Sequence, residues 1–217
     1  MEPVTMTIAG VAIVLTASLA YAVNKYREIQ EKNKEIEALR RSLNAYAETY
    51  AFENADEELI KRCQSKIKEL FKGGIEKEFN KYKTVEEKKA FARKVALELA
   101  NCMKVQVVDN IEIADLGPYT RGGTIPDRNS VTICLNEVLL VADPEQLVKT
   151  MCHELKHCVQ YQSLTNNVWG YSPQRIAQYL YSWKEYVSPD SSESCEAYLK
   201  QIIEIDANKY VDLIFNV

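Results

Sequence analysis

The chain has 217 residues, 27 Lys and Arg against 31 Asp and Glu, and a formal net charge of −4. That balance lacks the basic footprint of a nucleic-acid-binding domain, so no nucleic-acid partner is expected. The length is enough for one domain with a full core plus an appendage.

Residues 4–23 carry no charged side chain over 20 positions, the length a helix needs to cross a bilayer. A cleaved signal peptide is the rival reading, with Ala20, Tyr21 and Ala22 as a small-x-small site. The segment ahead of the span, however, carries Glu2 and no Lys or Arg. Lys25, Arg27, Lys32 and Lys34 follow it, which places the C-terminal bulk in the cytoplasm under the positive-inside rule. The expectation is a transmembrane anchor over 1–23 in a single-pass membrane protein. Residues 24–53 then read as a charged helical stalk. Ile29, Ile36, Leu43 and Tyr50 recur every seven residues, with Leu39 and Tyr46 between them. Lys32 interrupts the stripe, which suits either a homodimer through the stalk or packing against the domain that follows.

The domain itself is expected over 54–217. Asn54 with Glu57 forms a capping-box pattern for a helix to about Phe71, stopped by Gly73 and Gly74. Thr84 with Glu87 repeats the pattern for a helix to about Cys102. From Lys104 the period becomes strand-like: residues 105–108 and 111–114 are short and β-branched, 119–125 extended, 126–129 a turn, and 131–135 alternate. These segments predict an α+β domain with a small, mostly antiparallel sheet, whose edge strand could accept an extended peptide.

Asp143 and Pro144 open the next helix as cap and first residue, with Gln146 completing a capping box. Leu147, Val148, Met151, Cys152, Leu155, Cys158 and Val159 share one arc of this helix. His153 and His157 lie nearly opposite, in the pattern H-E-x-x-H, and they are the chain's two histidines. Two imidazoles one turn apart can hold zinc, and Glu154 between them is left as general base. Two histidines on a solvated helix face would be the bland account of the same residues.

Beyond the motif, 163–171 reads as a loop, Pro173 to about Tyr186 as a helix, 188–192 as a break, and the rest as a last helix from near Glu193. Six cysteines, Cys63, Cys102, Cys134, Cys152, Cys158 and Cys195, form no C-x-x-C pair and are expected to be reduced. A catalytic zinc needs a third protein ligand, and with no histidine left it must be Glu, Asp or Cys.

H-E-x-x-H followed by Glu204-x-x-Ala207-Asn208 resembles the gluzincin metallopeptidases, specifically small zincin domains of the HtpX-like and ImmA/IrrE kinds. The likeness covers roughly 105–210. It implies a zincin-like fold, Glu204 as third ligand of Zn2+, and Asn208 as a residue that orients the site. Glu193, Glu196 and Asp206 compete with Glu204 on the same helix and otherwise read as its charged surface.

The function expected is a membrane-anchored zinc metallopeptidase acting on a protein or peptide. Glu154 takes a proton from the zinc-polarised water, and later returns it to the leaving amine. Tyr161, Tyr171, Tyr179 and Arg175 are candidates to stabilise the oxyanion. The rival class is a non-catalytic interaction protein on a zincin fold, whose metal is structural or lost.

Overall fold

The computed structural model describes residues 51–106, 108–118, 120–126, 130–187 and 197–215, with Lys25, Glu31 and Lys34 as isolated helical positions. The expected span over 4–23 and the heptad stripe of the stalk lie outside the described residues. Among the described residues, no helix is long and apolar enough to cross a membrane. The chain divides into two compact units, Met1–Thr49 and Tyr50–Val217. All elements named below belong to the second, an α+β unit.

Helices α1 (Asn54–Leu70) and α3 (Val85–Cys102) begin where side chains satisfy the first backbone N–H groups. At α3 the box is the expected one: Thr84 Oγ1 accepts from Glu87 N, and the Glu87 carboxylate accepts from Thr84 N. At α1 it sits one residue earlier than expected, between Glu53 and Asp56. Asp56 is buried and bonded to Lys156, whereas Glu57 is exposed. The inward carboxylate therefore sets the helix start. Between these helices lies a short α2 (Ile75–Phe79), not anticipated, anchored by Phe79 edge-on to Phe91 with ring centroids 4.9 Å apart.

Three strands follow: β1 (Val108–Ala114), β2 (Gly122–Pro126) and β3 (Val131–Asn136). Their order is β1-β3-β2, with β1 parallel and β2 antiparallel to β3. The sheet is thus mixed, which corrects the mostly antiparallel expectation. The chain leaving β1 skips a place, so β2 becomes an outer strand and β3 returns to the middle. Asn136 secures that connection, its Nδ2 donating to Gly117 O and Thr120 O, both at 2.7 Å. Buried Val131, Ile133 and Leu135 alternate along β3 and face the helices.

After α4 (Leu139–Ala142) come α5 (Pro144–Ser163), α6 (Pro173–Lys184) and α7 (Ile202–Phe215). Asp143 Oδ1 caps α5 by accepting from Gln146 N at 2.8 Å. The Gln146 side chain runs along the helix to Thr150 Oγ1, at 3.5 Å, instead of back to the cap. Ser172 caps α6. Helix α7 opens at Ile202, later than expected, because a turn at 200–201 separates it from the helical residues 197–199.

Helix α5 is the axis of the domain. It packs on β2 and β3 with one side and on α6 and α7 with the other. From Leu147 to Ser163 every residue is buried except Lys149, His153 and Tyr161, which are half-buried. The amphipathic expectation therefore held for the apolar arc but not for its opposite, where α6 and α7 cover polar side chains as well.

Candidate metal centre

A helix repeats every 3.6 residues, so positions four apart share a face. His153 and His157 of α5 accordingly meet edge to face, their ring centroids 4.6 Å apart and their Nε2 atoms 3.0 Å apart. Glu204, in the first turn of α7, closes the group. Its Oε2 is 3.3 Å from His153 Nε2 and its Oε1 is 3.3 Å from His157 Nε2. One ligand atom from each residue lies within 4.8 Å of the others. The expected third ligand is thus brought to the two histidines.

Glu204 is 1% exposed, and its two oxygens face the two imidazoles. A buried carboxylate is costly unless positive charge faces it, and a cation shared with the two imidazoles would supply that charge. Two imidazoles and one carboxylate form a three-ligand set with room for further ligands, suited to zinc and acceptable to other divalent cations. The residues fit a metal ion. Without one, the ligands pair with each other. Burial opposes a charge on His157, yet the adjacent Glu204 carboxylate outweighs it and the pKa is pushed up to about 9. Burial likewise opposes ionisation of Glu204, and the two histidines reverse this, holding its carboxyl well below the usual carboxylate range.

Behind the ligands lies a partner that the sequence did not disclose. His157 Nδ1 is 2.9 Å from Gln160 Oε1, while Gln160 Nε2 donates to Ile203 O at 2.9 Å and Asp206 Oδ2 at 2.8 Å. With both amide protons committed to acceptors, the amide oxygen must face the imidazole. Nδ1 then keeps its proton, and Nε2 is the nitrogen that gives up its proton when a cation joins Glu204, freeing its lone pair for a metal.

Asp206 is fully buried rather than part of a charged surface, which corrects its expected place. It accepts from Tyr179 OH at 2.6 Å and pairs with Lys156 Nζ at 3.1 Å. Lys156, the last residue before His157, also reaches Asp56 Oδ1 at 2.8 Å and Tyr171 OH at 2.9 Å. Arg175 Nη1 lies 3.6 Å from Asp56 Oδ2 and 4.0 Å from Asp206 Oδ1. Two acids and two bases therefore balance inside the core, where an unmatched charge would cost several kcal/mol. Tyr171, Tyr179 and Arg175, expected as oxyanion donors, are buried members of this network. Tyr161 packs edge-on to Trp183, centroids 5.7 Å apart.

Glu154 faces the other way. Its Oε2 accepts from Thr124 Oγ1 of β2 at 2.7 Å, and its side chain lines a cleft of about 610 Å³ with His153, Arg121, Lys149 and Tyr198. Asn208 is exposed on the wall of the same cleft, one turn beyond Glu204. Tyr198 stays protonated there, because burial and the nearby Glu204 and Glu154 carboxylates all oppose its ionisation. Glu193 and Glu196 lie outside the described residues. Gln160 has the i,i+3 spacing from His157 that marks helix neighbours; Thr124 and Tyr198 carry no local signal of their role. Compared with protein-family models, with curated proteins and with solved structures, the chain matches none.

Proposed function

We propose that the chain is a zinc metallopeptidase of the gluzincin type. The observation that supports this reading is the convergence of His153, His157 and the buried Glu204 carboxylate beside a second carboxylate, Glu154, that lines a cleft instead of joining the ligands. Anchorage through 1–23 and a cytoplasmic catalytic domain belong to the same reading and rest on the distribution of charge along the chain.

A bound zinc ion would supply Lewis-acid polarisation of water and of the scissile carbonyl. Glu154 provides the base, accepting the proton of the attacking water and delivering it to the departing amine. Thr124 fixes one of its oxygens, so the carboxylate keeps a constant orientation. An extended substrate adds to the outer strand β2, whose Gly122 places backbone beside Glu154. The Tyr198 phenol supplies a proton donor toward the developing oxyanion.

The full chain in detergent should bind one zinc and cleave an unfolded protein substrate. Glu154→Gln should keep the zinc while hydrolysis falls by about 100-fold or more. A wild-type chain that binds no divalent metal would sink the reading, and one that binds zinc without hydrolysing anything would favour the interaction-protein class.

A further inference from the structure

A second cluster of reactive groups lies apart from the candidate metal centre, where the end of α3 meets α1. Cys102, the last residue of α3, is half-buried in a shallow groove lined by Arg62 and Lys66 of α1. Its side-chain neighbours are the thiol of Cys63, a residue of α1 with no exposed surface, and the Arg62 guanidinium. On the inner side, Tyr210 of α7 donates its phenol hydrogen to Cys63 Sγ at 2.8 Å. Around the rim, Arg62 pairs with Glu58 at 3.8 Å, and Lys66 with Glu69 at 3.0 Å and Glu98 at 3.7 Å. An accessible sulfur between two cations, beside a second sulfur that solvent cannot reach, is the arrangement of an attacking and a resolving thiol.

We propose that Cys102 and Cys63 are a peroxide-reactive pair, in which Cys102 is oxidised first and Cys63 closes a disulfide. The Cys102 thiolate attacks one oxygen of hydrogen peroxide, forming an S–O bond as the O–O bond breaks, and the departing hydroxide takes a proton to become water. Cys63 sulfur then attacks the Cys102 sulfenic sulfur. An S–S bond forms, the S–O bond breaks, and the leaving hydroxide takes the Cys63 proton as a second water. Two thiols are oxidised and one peroxide is reduced.

The electrostatics agree with the order of attack. The neighbouring Cys63 thiol lowers the Cys102 pKa most, burial opposes it, and Arg62 and Lys66 add to the lowering, bringing it to about 6. The same thiol contact and burial push Cys63 up. Burial raises Cys134 too, and takes Cys152 up to about 12. Of these four thiols, only Cys102 is shifted down, toward neutrality.

The reduced full chain, with and without a chelator, is titrated with hydrogen peroxide and mapped by peptide mass spectrometry, and Cys102 alkylation by iodoacetamide is followed against pH. The expected results are a Cys63–Cys102 crosslinked peptide lighter by two hydrogens, alike in both metal states, and alkylation with a midpoint near pH 6. In Cys63→Ala, dimedone should trap the sulfenic acid on Cys102. Oxidation of Cys134 before Cys102, overoxidation of Cys102 without a crosslink, or an alkylation midpoint above pH 8 would each overturn the proposal. The wild-type measurements decide the matter even if the variant fails to fold.

Discussion

Gln160 Oε1 stands 2.9 Å from His157 Nδ1 because the other end of the same amide is held by Ile203 O and Asp206. One residue thereby links a candidate ligand to the buried ion network and fixes which ring nitrogen is left for a metal. Gln160→Ala should weaken zinc binding by about 10- to 100-fold while leaving the ligands themselves in place. Competition with a chromogenic chelator measures this; unchanged affinity would show that the imidazole orients itself without the amide.

Glu204 and Asp206 lie two residues apart and should fail in opposite ways. Glu204→Ala removes a ligand and should lose zinc with the fold retained. Asp206→Ala leaves Lys156 and Arg175 short of an anion in the core, a loss of about 3 to 5 kcal/mol, so it should unfold at lower denaturant. Urea unfolding and zinc stoichiometry, run side by side, separate the two. Zinc retained by Glu204→Ala would remove the proposed ligand set.

Gly122 is packed against the base. A methyl group on it would stand 2.6 Å from Thr150 Cγ2, 3.0 Å from Cys134 O and 3.2 Å from Glu154 Oε1. Gly122→Ala should therefore keep zinc but slow hydrolysis by at least about 10-fold, since misplacing a catalytic group by ~1 Å can cost ~100-fold. Adding Thr150→Ser, which deletes Cγ2, should restore part of the rate. Turnover with metal content held equal checks the pair.

In the metal-free protein the ligands' mutual pairing should be visible in the pH dependence of stability. His157 is raised from 6.5 to about 9, so its contribution is whole below about 6.5 and lost as pH rises through about 9. Glu204 is depressed from 4.5, so its contribution is present above that value and lost as pH falls below it. With chelator, the melting-temperature advantage of wild type over Glu204→Ala should peak between about pH 5 and 6.5 and shrink toward alkaline pH. Zinc uptake at pH 7 should release about one proton, read by calorimetry in two buffers of different ionisation enthalpy. Uptake without proton release would contradict the paired state of His157.

The sequence alone determined those features that depend on neighbours along the chain. The Thr84–Glu87 box, the Asp143 cap and the common face of His153 and His157 follow from backbone geometry within one or two helical turns. Glu204 was reached by resemblance to a family pattern, and its meeting with the histidines needed α7 to dock on α5. Tertiary structure alone decided the rest. Lys156 looks like an exposed charge in the sequence, yet it is buried, because Asp56, a hundred residues upstream, and Asp206 on α7 supply its counter-charges. The same inward pull on Asp56 moved the start of α1. Helical spacing is a local property of the backbone, whereas burying a charge requires partners from distant segments, and no local pattern records where those segments will meet.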